Sequence, residues 1–259
     1  MQERNRLAVI VLTKNEEANI RDCIESVSFA DEVLLVDSGS TDRTIEIAQS
    51  MGARIVSRPM GEGGFAENRN AALQETEAEW VLYLDADERI EKTLEQSILQ
   101  HIRSVRAAGT IRRESVVMGQ RMHHGVYRPD EVARLFPREA VRWEGIVHEM
   151  PVTELPVARL KGAATHYCLT SWAQYFAKFD RYTTMMAEKM RERGKRTNYA
   201  AAQLHAIYAC FQMLFLRGGI LDGALGVTLC AGHYLYTLMK YVKLMELDKG
   251  RPLHAHRDL

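Results

Sequence analysis

Several common protein classes are excluded by what this chain lacks. Its 259 residues include only four cysteines (Cys23, Cys168, Cys210, Cys230), far apart, and no C-x-x-C. That spacing supports neither a zinc cage nor a disulfide framework and points to a reducing compartment. No G-x-G-x-x-G follows the first apolar run, and no G-x-x-x-x-G-K-[ST] occurs anywhere. A dinucleotide oxidoreductase and a P-loop NTPase are therefore disfavoured. The opening apolar run, Leu7 to Leu12, is followed at once by Lys14-Asn15-Glu16-Glu17. It is too short for a signal peptide, lacks a small-residue cleavage site, and reads as a first strand. Net charge is also absent, with 34 Lys and Arg against 34 Asp and Glu. The balance conceals an asymmetry: residues 1–103 carry 11 basic and 20 acidic residues, residues 104–259 carry 23 and 14. An acidic front suits a cation-dependent site, and a basic back suits a polyanionic partner or an anionic membrane surface. Nucleic acid is not expected as a partner.

What is present is an ordinary globular composition, 46% hydrophobic and 26% charged, organised around Trp80-Val81-Leu82-Tyr83-Leu84-Asp85-Ala86-Asp87. This reads as a buried strand running into two carboxylates spaced i, i+2, which leave a strand on the same face. Paired carboxylates repel unless a cation or a proton lies between them, and oxygen ligands suit Mg²⁺ or Mn²⁺. A polar turn, where Asp is common anyway, is the plain alternative. Upstream, apolar runs at Leu7–Leu12, Glu32–Val36 and Ala53–Ser57 alternate with helical patterns over 18–28, to Met51, and over 66–76. A β-α-β-α-β-α-β order predicts an α/β fold with a mostly parallel sheet, whose ligands bind beyond the strand carboxyl ends. Thr13, Asn15, Asp37, Asp85 and Asp87 all fall at such ends, with Glu16 in the first of these loops.

Three segments in order, Val11-Leu-Thr-Lys-Asn15-Glu16, Val36-Asp37-Ser38-Gly39-Ser40-Thr41-Asp42 and Leu84-Asp85-Ala86-Asp87-Glu88, resemble the inverting family 2 glycosyltransferases of the GT-A fold. Gly64-Phe65-Ala66-Glu67-Asn68-Arg69-Asn70 resembles a further motif of one subgroup, the lipopolysaccharide-core β-glucosyltransferases that act on inner-core heptose. The usual form there is Gly-Phe-Gly-x-Gln-Lys-Asn, and this chain varies at Ala66, Asn68 and Arg69. Tyr127 to Asp130, Arg134 to Phe136 and Val147-His148-Glu149 also resemble that subgroup, as does the apolar C-terminal stretch.

The resemblance implies that Asp37 accepts a hydrogen bond from the base of a UDP-sugar. It implies that Asp85 holds the ribose or a metal-bound water, and that Asp87 ligates Mg²⁺ or Mn²⁺ on the diphosphate. Arg69 is expected as a second cation on that diphosphate. An inverting transfer needs one general base. Glu149 is the expected base and Asp130 the runner-up, with His148 a ligand to metal or diphosphate. His148-Glu149 as a structural pair stays open.

Three regions are expected: a nucleotide-sugar-binding half over 1–103, an acceptor-side half over 104–168 and a helical, membrane-associating region over 169–259. Gly109 to Met118 reads as a strand, and Val132–Phe136 and Ala140–Trp143 as two more joined by Pro137-Arg138-Glu139. Thr170 or Ser171 caps a helix with an apolar stripe at Tyr175, Phe179, Tyr182, Met186 and Met190, ending in a basic run over 189–196. Ala206–Leu216 and Ile220–Met239 are apolar, and the second has the length of a membrane span. Its interruptions favour interfacial helices, with Tyr234, Tyr236, Tyr241, Lys240 and Lys243 at the edge. A buried hairpin or a homodimer interface is the alternative. The tail after Lys249 is expected to be disordered. The resemblance implies a peripheral enzyme at the cytoplasmic face of the bacterial inner membrane, glucosylating a lipid-linked acceptor. Rival readings are another cell-envelope or peptide acceptor, and a non-catalytic nucleotide- or glycan-binding scaffold.

Overall fold

The structure is a computed structural model that describes residues 5–59, 61, 64–145, 149–251 and 253. His148, part of the 60–64 loop and most of the tail after Lys249 lie outside the described residues. The chain forms two compact units, Met1–Glu114 with Asp130–Tyr167, and Ser115–Pro129 with Cys168–Leu259.

The first unit opens with β1 (Leu7–Thr13), α1 (Ile20–Ser26), β2 (Glu32–Asp37), α2 (Thr44–Ser50), β3 (Arg54–Ser57), α3 (Gly64–Leu73) and β4 (Trp80–Asp85). Strands β3, β2, β1 and β4 lie side by side in that order, all parallel. Every residue of β1 is buried, as a continuous apolar run demands of a strand covered on both faces. Alternate side chains feed two cores. Val9, Val11, Leu82 and Leu84 pack on one side with Ile20, Cys23 and Ile24 of α1. Ile10, Leu34, Val36, Val81 and Tyr83 pack on the other with Ala66, Ala72 and Leu73 of α3. Burying each such aliphatic side chain contributes about 1.5–3 kcal/mol.

After β4 the chain turns and continues as β5 (Glu88–Ile90), α4 (Lys92–Ser104), β6 (Ala108–Val117), β7 (Gln120–Arg121), β8 (Asp130–Pro137), β9 (Arg142–Glu144), β10 (Met150–Val152) and β11 (Val157–Leu169). β8 pairs antiparallel with β4 and with β6, and the path runs on through β11 to β5. The sheet is thus mixed, parallel in its front half and antiparallel beyond, with helices flanking it. Two sequence expectations change here, and one helix is new. Asp85 and Asp87 do not share one strand, because β4 ends at Asp85 and Ala86-Asp87 form a turn into β5. α4 carries no expectation above, yet Leu94, Ile98, His101 and Ile102 bury one face at helical spacing. Ala140–Trp143 does not extend the main sheet; β9 pairs with β10 in a separate two-stranded ribbon.

The second unit contains α5 (Trp172–Glu192), α6 (Tyr199–Phe211) and α7 (Gly223–Asp248). Ser171 caps α5 by accepting from the Gln174 N–H at 3.1 Å. Its buried face is Thr183, Thr184, Ala187 and Met190, so Tyr182 of the expected stripe points outward instead. Lys243 and Tyr241 are corrected too. Both are buried, and the Lys243 ammonium donates to Asp180 Oδ1 (2.6 Å), Thr183 Oγ1 (2.9 Å) and Thr184 Oγ1 (2.7 Å). α6 continues as a π-helical turn, Gln212–Leu216, and the chain reverses at Gly218 in the left-handed region (φ 66°). Among the described residues the stretch long and apolar enough to cross a membrane is Tyr199–Leu216, not 220–239, and only 11% of it is buried.

Asp222, which falls within the second apolar stretch, anchors this unit. Its buried carboxylate accepts from the backbone N–H of His123 (3.1 Å) and His124 (2.8 Å) and sits 2.8 Å from His124 Nδ1. Asp222→Ala leaves two backbone donors without their acceptor, so the unfolding free energy is expected to fall by about 2–4 kcal/mol. Denaturant titration checks this.

Candidate active site

The edge where β1, β2 and β4 end is built by register. Thr13 pairs with Asp37, and Leu12 with Asp85. β2 and β3 lie to one side of β1 and β4 to the other, which makes this the switch point at which parallel sheets bind ligands. The first two loops are laced together. Asn15, in the left-handed region (φ 56°), donates its N–H to Ser40 Oγ (2.8 Å) and accepts from the Thr41 N–H (2.8 Å). The Glu16 N–H donates to Thr44 Oγ1 (2.7 Å). Asp37 is buried and accepts from the N–H groups of Gly39 and Ser40, both at 2.9 Å, and from Ser40 Oγ at 2.5 Å. Three of roughly four carboxylate acceptor positions are therefore used in closing its own turn. Thr13 Oγ1 is buried with no partner among the described residues.

Asp85 is gripped by guanidinium groups. Arg134 Nη2 lies 2.5 Å from Oδ2, Arg69 Nη2 3.3 Å from Oδ1, and Arg113 Nη1 4.0 Å from Oδ2. Burial opposes ionisation of Asp85, but Arg134 and Arg69 outweigh it and hold the carboxyl well below the usual carboxylate range. Both Asp85 oxygens thus face arginine. Glu88, fully buried, accepts from the Asp85 N–H at 3.1 Å and lies 3.2 Å from Arg113 and 3.6 Å from Arg134. Burial, reinforced by Asp85, pushes the Glu88 carboxyl up despite those arginines. Arg134→Leu leaves buried Glu88 and half-buried Asp85 short of their main cation, and a loss of about 3–5 kcal/mol is expected. A chemical-denaturation curve measures it, and Arg134→Lys should recover part.

Arg69 is the centre of the cluster. It is only 5% exposed, its guanidinium lies 4.5 Å from the Trp143 ring centroid and 5.6 Å from that of Tyr83, and Nη2 is 3.6 Å from Glu149 Oε1. Nε and Nη1 are buried with no hydrogen-bond partner among the described residues. Burial pulls the Arg69 pKa down from its ordinary value while Asp85 and Glu149 push it up. The next residue, Asn70, makes a two-way clasp with the Trp143 backbone, donating to its C=O (2.8 Å) and accepting from its N–H (2.7 Å). That clasp ties α3 to the β9–β10 ribbon, which carries Glu149 immediately before β10. Glu149 and Asp85 thus meet on one nitrogen of Arg69. Asp130 joins the cluster through Arg113, which forks it with bonds of 2.9 and 2.6 Å. Burial works against its charge, yet Arg113 holds it below its ordinary value.

Asp87 faces a residue absent from the expectations above. Its Oδ2 lies 3.3 Å from His166 Nε2, and both side chains are 22% exposed. The register of β5 on β11 makes this pair, since His166 is opposite Glu88 and Tyr167 donates its N–H to the Asp87 C=O (2.8 Å). Nothing local in the sequence marks the partnership, because it depends on a strand only three residues long. Arg134 was more legible, as a lone arginine inside the apolar run Val132–Phe136. Among the described residues no three acidic, histidine or cysteine side chains gather as a metal cage.

Residues 8–181 match the family described as glycosyl transferase family 2. The chain belongs to that family. It is 31% identical over 228 residues to the lipopolysaccharide core biosynthesis glycosyltransferase LpsC of Rhizobium meliloti (strain 1021), across 83% of this chain and 82% of that protein. It is 28% identical over 276 residues to an uncharacterized glycosyltransferase of Rickettsia bellii (strain RML369-C), across 98% and 91%. Among solved structures it is similar to glucosyl-3-phosphoglycerate synthase from Mycobacterium tuberculosis, crystallised with Mn²⁺, UDP and glucosyl-3-phosphoglycerate. That match has 26% identity and a TM-score of 0.35, and covers 44% of this chain and 45% of that one, less than half its length. Family membership makes the chemistry glycosyl transfer, and the front of the chain has the mixed, helix-flanked GT-A sheet of the family.

Proposed function

We propose that the chain transfers a sugar, glucose in the first instance, from a UDP-activated donor onto a lipid-linked acceptor of the lipopolysaccharide-core class, with inversion at the anomeric carbon. The observation that carries this reading is the meeting of Glu149 and Asp85 on the buried Arg69 at the strand edge. A guanidinium with unused buried donors suits a doubly charged diphosphate. The Glu149 carboxylate removes the proton from the acceptor hydroxyl as that oxygen bonds to the anomeric carbon. The bond from the anomeric carbon to the β-phosphate oxygen breaks on the opposite side, and its electron pair leaves with UDP. Asp130 is the poorer base, since both its oxygens are forked by Arg113.

The residues present fit a divalent cation. In octahedral Mg²⁺ sites with bonds of about 2.0–2.1 Å, neighbouring ligands lie about 3 Å apart, and one or two protein ligands are usual, with phosphates and water completing the shell. Asp87 and His166, 3.3 Å apart and partly exposed, match that spacing and chemistry. They would hold the ion, which supplies Lewis-acid neutralisation of the departing diphosphate. Asp37 keeps one acceptor position for a base N–H, and Thr13 keeps an unused hydroxyl beside it. The lipid acceptor accords with the similarity to LpsC. A peripheral position at the cytoplasmic face of the inner membrane would bring the enzyme to such an acceptor.

Calorimetric titration of UDP-glucose, UDP-galactose, UDP-N-acetylglucosamine and GDP-mannose, each with and without Mn²⁺, tests the donor side. Tight, Mn²⁺-dependent binding of a UDP-sugar is expected. Failure of folded protein to bind any of them would return the scaffold reading.

A further inference from the structure

The second unit carries a cluster that sugar transfer does not use. Tyr241 of α7 is buried, and His205 of α6 stacks on its ring at 5.2 Å between centroids and an interplanar angle of 19°. Two ammonium groups converge on the same ring, Lys195 Nζ at 5.5 Å from its centroid and Lys240 Nζ at 5.3 Å. Among the described residues no carboxylate lies within ion-pair distance of either lysine. Elsewhere in this unit other lysines are neutralised: Lys243 of α7 pairs with Asp180, and Lys249, just past the end of α7, with Glu246. Burial pulls the Lys240 ammonium below its ordinary value, and the Lys195 charge adds to that. Two repelling cations held over one aromatic ring are stabilised by an anion that accepts from both.

The surroundings indicate which anion. Lys195 is the penultimate residue of the basic run that begins at Lys189 and passes through Arg191 and Arg193 to Arg196, and two residues separate this run from α6. No charged residue occurs from Thr197 to Leu216. α6 buries Ala202 and Ala206 and turns Leu204, Ile207, Tyr208 and Phe211 outward, an apolar stripe at i, i+3, i+4 and i+7. A helix that is apolar on its solvent side and flanked by uncompensated cations has the charge and hydropathy pattern of an interfacial membrane helix.

We propose that Lys195 and Lys240, both set over the Tyr241 ring, form a binding site for the phosphate group of an anionic membrane lipid, seated at headgroup depth beside the outward stripe of α6. This deepens the membrane reading given above and rests on it.

Vesicle sedimentation of the full chain tests the site, using phosphatidylcholine alone and phosphatidylcholine with a one-third share of phosphatidylglycerol. The wild-type chain is expected to prefer the anionic vesicles. Lys195→Gln with Lys240→Gln should lower that affinity about 30-fold, leave binding to neutral vesicles unchanged, and keep the far-UV circular dichroism. Arg191→Gln with Arg193→Gln removes equal charge outside the pair and should cost only a few-fold. Lys195→Glu alone, at an exposed position, supplies a variant with little risk to folding and should lose at least as much as the control pair. Equal losses in both double variants would overturn the site in favour of diffuse charge, while the membrane reading stood. Wild-type binding that ignores phosphatidylglycerol would overturn the site alone. Full displacement from vesicles by inorganic phosphate would assign the pair to a soluble phosphate and overturn the lipid source. No binding to any vesicle, with dimers in sedimentation velocity, would overturn both the site and the membrane reading by placing a second copy on α6.

Discussion

Glu149→Gln is expected to lower kcat for sugar transfer by about 10²–10⁴-fold, the usual contribution of a positioned general base. The change removes a proton acceptor at nearly constant volume. Donor affinity should stay within a few-fold, because Arg69 keeps its contact with Asp85 and its stacking on Trp143. Asp130→Asn is the matched control. Asp130 is forked by Arg113, and its replacement should act only through that arginine, with a loss of at most about tenfold. Steady-state kinetics on the two variants separate the candidates. If Asp130→Asn proves the more damaging, the base is misassigned, and with it the account of which side of the sugar is attacked.

Asp87→Ala should abolish Mn²⁺-dependent donor binding, raising the Kd of the UDP-sugar in Mn²⁺ by at least about 100-fold, more than is usual for loss of an outer-shell partner. His166→Ala is expected to move in the same direction, since the two side chains are 3.3 Å apart and offer complementary oxygen and nitrogen donors. Metal-free donor binding should barely change in either variant. The fold should also survive, because both side chains are partly exposed and neither supplies core packing. By contrast, Asp85→Ala is expected to damage fold and site together, as it leaves Arg134, Arg69 and Arg113 facing one another around a vacated anion. Calorimetry with Mn²⁺, paired with thermal melts, distinguishes these cases. Unaltered Mn²⁺-dependent binding in Asp87→Ala would mean the cation sits elsewhere.

The front half of the fold was legible because its signals are local. Continuous apolar runs marked β1, β2 and β4, and helical periodicity marked the helices between them. Asn15, Asp37 and Asp85 fell at one sheet edge as soon as the strands were parallel, since every carboxyl end then points the same way. The chain beyond Asp87 was less legible for a different reason. β5 has only three residues and takes its meaning from β11, far along the chain, so the Asp87–His166 pair had no local signature. The partner of Arg134, though not the lone arginine itself, was likewise hidden, as was the role of Glu88, because a buried ion pair is a relation between two strands and not a property of either. In the second unit, composition identified an apolar region but misplaced its faces. Tyr241 and Lys243 read as interfacial and are buried, while Leu204, Ile207 and Tyr208 of α6 face outward. Alanines at 202 and 206 decide that orientation by letting α6 approach its neighbours on its small side.

The central claim is that Glu149 and the Arg69 cluster support in-line displacement at the anomeric carbon. The most direct test needs no acceptor. Slow hydrolysis of UDP-glucose by the enzyme in Mg²⁺, followed by proton NMR before mutarotation, reports the configuration of the first sugar released. Attack by water from the Glu149 side predicts β-glucose as the initial product, with its formation lost in Glu149→Gln. Initial release of α-glucose would contradict inversion and the role given to Glu149.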